Sequence, residues 1–239
     1  MTSRPAPNAM SELLEEAILE IERLRTEARQ GRKAAASAMP VAIVGAGCRF
    51  PGGVQDLDGL WSLLLASVDA IGEVPPSRWD IDALYDPDPD RPGHMSSRFG
   101  GFLEGIDRFD AAFFNIAPRE ARAMDPQQRL VLETAWQALE HAGIAIDRNV
   151  PRPAGIFVGM TTGDYGHLLL RTGGAEVIDA YYASGNTANA AAGRLAYALG
   201  FRGPAMAIDS ACSSSLVAVH LACRSLSSGE CDLALAGGV

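Results

Sequence analysis

Along the first forty residues the apolar positions Leu14, Ala17, Ile21, Leu24 and Ala28 recur at intervals of three and four. That spacing predicts an amphipathic helix with a narrow apolar seam, flanked by Glu22, Arg23, Arg25 and Glu27. Ser11 supplies a helix cap, and Glu12, Glu15 and Glu16 set negative charge where the helix dipole favours it. An isolated helix of about 20 residues is marginal in water, so the seam needs a partner. Two readings stand at this point, a helix lying on its own domain and a helix that self-associates or docks. Residues 1–10 read as a mobile tail, and Gly31 to Met39 (GRKAAASAM) as a linker.

The pattern changes at Pro40. The run VAIVGAG (41–47) has the unbroken apolar character of a strand buried on both faces. Leu57 to Ser67 reads as a helix. Residues 71–118, rich in Pro, Asp, Gly and aromatics, predict short turns and packed segments that wrap a domain. Pro118 is expected to open one strong helix that continues through MDPQQRLVLETAWQALEHAG, burying Ala135 and Leu139 and stopping at Gly143. His141 falls in its last turn, where the dipole favours a cation. Three further strands are predicted at GIFVGM (155–160), PAMAIDSA (204–211) and DLALAGGV (232–239). Helices over Asn189 to Leu199 and over SSSLVAVHLACRSLSSG (213–229) alternate with them. Strand, helix, strand in that order makes a parallel crossover unit, hence an α/β layered domain. The chain ends on a strand with no closing helix, which reads as an interruption rather than a natural end.

With 239 residues, 48% hydrophobic and 21% charged, the composition is that of a globular, soluble chain. A formal net charge of −9 disfavours nucleic acid and anionic membrane surfaces as partners. No apolar run reaches the roughly 18 residues of a membrane helix, and the N-terminus lacks a signal-peptide core. Cys48, Cys212, Cys223 and Cys231 show no CxxC spacing, which points to free thiols and a cytoplasmic setting. His94, His141, His167 and His220 are scattered without metal-ligand spacing, so no metal site is expected.

The candidate chemistry sits in AIDSACSSSLVAVHLACRSL (207–226). Cys212 falls where a predicted parallel strand gives way to a helix, the end of the sheet at which α/β proteins build their sites. The amides of Ser213, Ser214 and Ser215 open that helix and would stabilise an anion there. Small neighbours leave room for an acyl chain, as at a nucleophile elbow with Cys in place of Ser. The competing reading is a small hydrophobe filling a tight turn, which suits Cys223 and Cys231 better. His220 is eight residues on in the same helix, about 12 Å along its axis, beyond hydrogen-bond reach. No residue presents itself as a general base, which weakens a Cys hydrolase.

DSACSSSLVAVHLACRSL resembles the active-site segment of β-ketoacyl synthase (ketosynthase) domains from modular type I polyketide synthases. The likeness extends through VAIVGAGCRFPGGV, SRWDIDALYDPDP, GGFLEGIDRFDAAFFNIAPREARAMDPQQRLVLETAWQALEHAGI, GIFVGMTTGDY and GECDLALAGGV. These blocks cover residues 40–239 in order, the N-terminal part of the domain. Residues 1–39 resemble the coiled-coil docking helix and linker that precede the first synthase domain of some polyketide synthase chains.

The resemblance implies the N-terminal half of a thiolase-like α/β fold, a homodimer, and Cys212 as acyl acceptor. It implies acyl carrier protein partners that bring acyl and malonyl-type groups on phosphopantetheine, with no cofactor bound directly. It further implies decarboxylative condensation, and an upstream synthase subunit docked through the N-terminal helix. Two His that assist the reaction are expected C-terminal to these residues, so the 239 residues alone are expected to be inactive. A non-catalytic docking fragment is the alternative. The departures are mild: Ser210 where Thr is usual, NIAPRE where GISPRE is usual, and VGAG where VGMG is common.

Overall fold

The computed structural model of the protein describes residues 18–24 and 40–239. The chain divides into two units, Met1–Ala42 and Ile43–Val239. In the first, residues 18–24 form helix α1, with Ile18, Leu19, Ile21 and Leu24 exposed and an Arg23–Glu20 ion pair at 3.3 Å. The remainder of the predicted seam and the Gly31–Met39 linker lie outside the described residues.

The second unit is built around the strand β3 (Ala154–Gly159), every residue of which is buried. It pairs in parallel with β4 (Ala205–Ile208) on one side and β5 (Leu233–Gly238) on the other. Side chains alternate across a strand, and β3 uses both faces. Ala154, Ile156 and Val158 pack with Leu132 and Leu139 of α5 (Pro126–His141) and with Leu195 and Leu199 of α8 (Ala188–Leu199). Phe157 points the other way, onto Ala218 and Ala222 of α9 (Ser214–Ser228). Gly200 (φ 71°) and Gly229 (φ 75°) terminate α8 and α9 in the left-handed conformation.

Ahead of β3, helix α2 (Leu57–Leu65) is capped by Asp56, whose side chain accepts from Gly59 N. The wrapping segment holds a two-residue antiparallel pair, β1 (Gly72–Glu73) with β2 (Phe99–Gly100), and the short helix α3 (Ile81–Leu84). Its aromatic residues reach the core at Phe114, which stacks on Phe109 with ring centroids 5.5 Å apart.

Three expectations change. Residues 41–47 form no strand, and Ile43 is 91% exposed. A strand needs a neighbouring ladder as well as the right residues, and among the described residues none runs beside this segment. Its glycine end lies along α5 instead: a methyl at Gly45 would meet Ala138 O at 2.5 Å, and Ala46 N donates to His141 Nδ1 at 3.2 Å. The single helix expected from Pro118 is two, α4 (Pro118–Ala123) and α5. The break is local chemistry: Pro126 forces Asp125 out of the helical region (ψ 135°), and the Asp125 carboxylate caps α5 by accepting from Gln127 N. Residues 161–187, for which the sequence pattern predicts no element, hold α6 (Asp164–Gly173), a 3-10 turn (Gly174–Val177) and α7 (Ala180–Asn186).

Asp179 caps α7 by accepting from Tyr181 N and Tyr182 N, and pairs with Arg119 of α4 at 2.9 Å. The Tyr182 N–H, with Tyr181 N–H and the Arg119 guanidinium adding to it, holds the Asp179 carboxyl below the usual carboxylate range. A depressed folded-state value contributes stability above the unfolded value of about 3.9 and loses it as pH falls through the folded value. Asp179→Ala is therefore expected to melt below the wild type at pH 7, with the gap narrowing below about pH 4. Paired thermal melts across pH 3–7 check this, and a gap that does not change with pH would contradict it.

Candidate functional site

The parallel register brings three strand ends to one edge of the sheet. Gly159 is opposite both Ile208 and Gly238. Just beyond, Met160 N donates to Ile208 O at 3.0 Å and Val239 N to Gly159 O at 3.1 Å. At this edge β4 passes through Asp209 and Ser210 into a 3-10 turn (Ala211–Ser213) and then α9. Cys212 is in that turn and exposed, at the carboxyl end of a parallel strand as the sequence predicts. The helix proper begins at Ser214, two residues beyond Cys212.

The start of α9 lies close on the sheet because the facing strand positions are glycine. A methyl at Gly159 would meet Ser214 C and Ser215 N at 2.7 Å, and one at Gly238 would strike Ser215. Ala211, immediately before Cys212, has φ 54°, a left-handed conformation that costs a non-glycine residue about 1–2 kcal/mol. Side chains hold it there. Asp209 Oδ1 accepts from Ala211 N at 3.0 Å, and Ser214 Oγ accepts from Ser210 N at 2.9 Å while donating to Ala211 O at 2.6 Å. Ser213 Oγ donates to Ser210 O at 2.9 Å. Within the described residues the Cys212 N–H and thiol take part in none of the hydrogen bonds.

The other three thiols sit in different surroundings. Cys48 is buried, and burial first, then the Asp56 carboxylate, push its thiol up from the ordinary value. Cys231 is buried and donates to Ser225 Oγ at 3.3 Å. Cys223 is half-buried within α9. No His is brought to Cys212 by a hydrogen bond among the described residues. His220 is exposed two turns along α9, His167 is exposed on α6, His94 Nδ1 is 3.1 Å from Pro92 O, and His141 is engaged with Ala46. No three His, Cys, Asp or Glu side chains among the described residues converge as metal ligands would.

A polar brace that sequence reasoning missed supports the loop after β3. Gln127 Nε2 donates to Thr162 O at 2.8 Å, and Asp125 N donates to Gly185 O at 2.8 Å. Gln128, 2% exposed, donates to the carbonyls of Ser184, Gly185 and Thr187 and accepts from Arg194 Nε, while Arg194 also pairs with Glu120. These bonds tie the α4–α5 break to α7 and α8. The available signal was the Asp-Pro pair of MDPQQR, which marks a helix start.

The chain matches the family model for the β-ketoacyl synthase N-terminal domain over residues 38–239. It is 55% identical over 200 residues to a phenolphthiocerol/phthiocerol polyketide synthase chain of Mycobacterium tuberculosis, covering 84% of this chain and 11% of that protein. It is 49% identical over 230 residues to mycoketide-CoA synthase of the same species, covering 96% of this chain and 5% of that protein. Among solved structures, an oxazolomycin ketosynthase domain of Streptomyces albus JA3453 superposes with a TM-score of 0.72 at 39% identity, covering 82% of this chain and 34% of that one. The ketosynthase from module 6 of the bacillaene synthase of Bacillus subtilis 168 gives 0.70 at 38% identity, covering 83% and 31%. The chain thus spans about a tenth or less of these curated relatives and about a third of the solved domains.

The thiol environments set an order of reactivity. Iodoacetamide at pH 8 on the folded full-length protein is expected to alkylate Cys212 ahead of Cys48 and Cys231, by at least about tenfold in rate. Peptide mass spectrometry over a time course reads this order, and equal labelling of Cys48 and Cys212 would contradict it.

Proposed function

The chain belongs to the β-ketoacyl synthase family, with a thiolase-like α/β fold, and from that premise we propose that Cys212 is the acyl-accepting nucleophile of a polyketide-forming condensation. The observation that carries this reading is an exposed thiol at the carboxyl edge of three parallel strands, whose own N–H is free to meet an oxyanion. In the first step the Cys212 thiolate attacks the thioester carbonyl of an acyl group carried on phosphopantetheine. The carrier's thiolate leaves, and the acyl group stays on Sγ. In the second step a malonyl-type thioester on a carrier loses CO₂, and the resulting enolate carbon attacks the Cys212 thioester. A carbon–carbon bond forms, the carbon–sulfur bond to Cys212 breaks, and the thiolate returns. In both steps the negative charge builds on the carbonyl oxygen of the acyl group, where the Cys212 N–H can donate.

The acyl carrier partners, the homodimer and the histidines that assist decarboxylation belong to this proposal as the resemblance implies them. No step is assigned to His94, His141, His167 or His220, none of which is hydrogen-bonded to Cys212. We infer too that residues 1–239 alone do not condense. They span about a third of the solved ketosynthase chains, and they leave apolar residues such as Leu216 of α9 76% exposed. For residues 1–39 the proposal is docking to another synthase subunit, a reading supported by the exposed apolar residues of α1.

In the full-length synthase, Cys212→Ala is expected to remove the one acyl group bound per ketosynthase site and to lower condensation by about 10³-fold or more. Intact-protein mass spectrometry after incubation with an acyl-carrier thioester measures the first and product formation the second. Acylation that persists in the variant would sink the role given to Cys212. A peptide of residues 1–35, titrated with the C-terminal tails of candidate upstream subunits, is expected to bind at least one. Failure with every tail would leave α1 without a docking role.

A further inference from the structure

We propose that Ser214 is a positioning residue for Cys212, its hydroxyl holding the Ser210–Ala211 backbone in the left-handed turn that presents the thiol. The inference deepens the assignment of Cys212 above and rests on it. The sequence offers a run of serines where a helix begins, and their ordinary use there is capping: a side-chain oxygen accepts an N–H of the first turn. In this protein they do something else. Ser213 occupies the cap position of α9 and makes no capping bond, and Ser214, the first residue of the helix, bonds backwards.

Ser214 is 4% exposed, so water does not replace its partners. Its one proton goes to Ala211 O at 2.6 Å, and a lone pair takes the Ser210 N–H at 2.9 Å. Ser213 Oγ gives its proton to Ser210 O at 2.9 Å, so the 3.0 Å contact between the hydroxyls of Ser210 and Ser213 has Ser210 as donor. Asp209 takes the Ala211 N–H. All four backbone polar groups of Ser210 and Ala211 are thereby engaged by side chains, and Ser214 alone contributes to two of them. The consequence falls on the next residue. With Ala211 locked at φ 54°, the chain turns so that Cys212 is exposed and its N–H uncommitted. A hydroxyl at 214 acts through the backbone, bonded to Ser210 N and Ala211 O and not to the thiol.

This role makes a prediction that ordinary packing does not. If Ser214 serves to hold a left-handed residue, a residue that adopts that conformation without steric cost should make Ser214 dispensable. Glycine at 211 is such a residue. In the full-length protein, Ser214→Ala is expected to slow acylation of Cys212 by about ten- to thirtyfold, the scale set by hydrogen bonds of ordinary strength. The double variant Ala211→Gly/Ser214→Ala is expected to return to within about threefold of Ala211→Gly alone. Ser213→Ala, at an exposed position, should lose a smaller factor and be restored by the same glycine.

Deuterium uptake of the 207–216 segment, read by mass spectrometry, gives a second measure independent of acyl chemistry. It should rise in Ser214→Ala and fall back in the double variant. Wild-type acylation rates in both serine variants, or a glycine that restores neither acylation nor protection, would overturn the positioning role. A wild-type protein not acylated at Cys212 would overturn the function assigned above, while the deuterium measurement would still decide the role of Ser214.

Discussion

The burial of β3 on both faces is the constraint on which the rest depends. A central parallel strand must be covered above and below, and this one divides its side chains between two layers, Ile156 and Val158 to α5 and α8 and Phe157 to α9. Parallel pairing on both edges then fixes where the flanking strands end. Gly159, Ile208 and Gly238 share one level, and the turn carrying Cys212 must emerge there. The glycines have a definite function in this arrangement. Strand ends that close to a helix start leave no space for a Cβ, so α9 can begin against the sheet only where the strand positions lack one.

The fold also depends on polar groups kept away from water. Gln128 shares its two amide N–H groups among three backbone carbonyls and takes Arg194 on its oxygen, and Arg129 donates twice to Met124 O from a buried position. Such groups are costly when left unpaired, and the residues that pair them come from α4, α5, α7 and α8 at once. The brace therefore fixes the α4–α5 break and the loop after β3 with respect to each other. Asn186 is the exception: its amide nitrogen donates to Ala123 O and Tyr182 O, yet its Oδ1 is buried with no partner within the described residues.

The parts of this fold legible in the sequence are those whose signals are local. The apolar runs of β3, β4 and β5, the alternation with α8 and α9, and the glycine stops at 200 and 229 all lie within a few residues of what they specify. Cys212 was legible as a candidate for the same reason, since a strand-to-helix turn is a local pattern, though packing and chemistry could be separated there only by the resemblance of the neighbouring blocks. What was not legible depends on distant partners. The run at 41–47 has the residues of a strand but no ladder beside it among the described residues. The split between α4 and α5 was locally marked by Asp125 and Pro126, and the apolar periodicity on either side masked it. The serines were visible as a helix start. Their bonds to Ser210 and Ala211 hold a positive φ that no residue type at 211 announces.

Helix α9 connects these observations to the chemistry. Its inner face is small, with Ala218 and Ala222 letting it approach Phe157 closely, and its outer face mixes exposed Leu216 and Val219 with Ser215, His220 and Arg224. The thiol sits just ahead of this helix, exposed at the carboxyl edge of the sheet. The turn that presents it is held by hydrogen bonds within the chain. Asp209, Ser213 and Ser214 engage the backbone of Ser210 and Ala211 even though these two residues are exposed, so the left-handed conformation before Cys212 is set by side chains and not left to solvent.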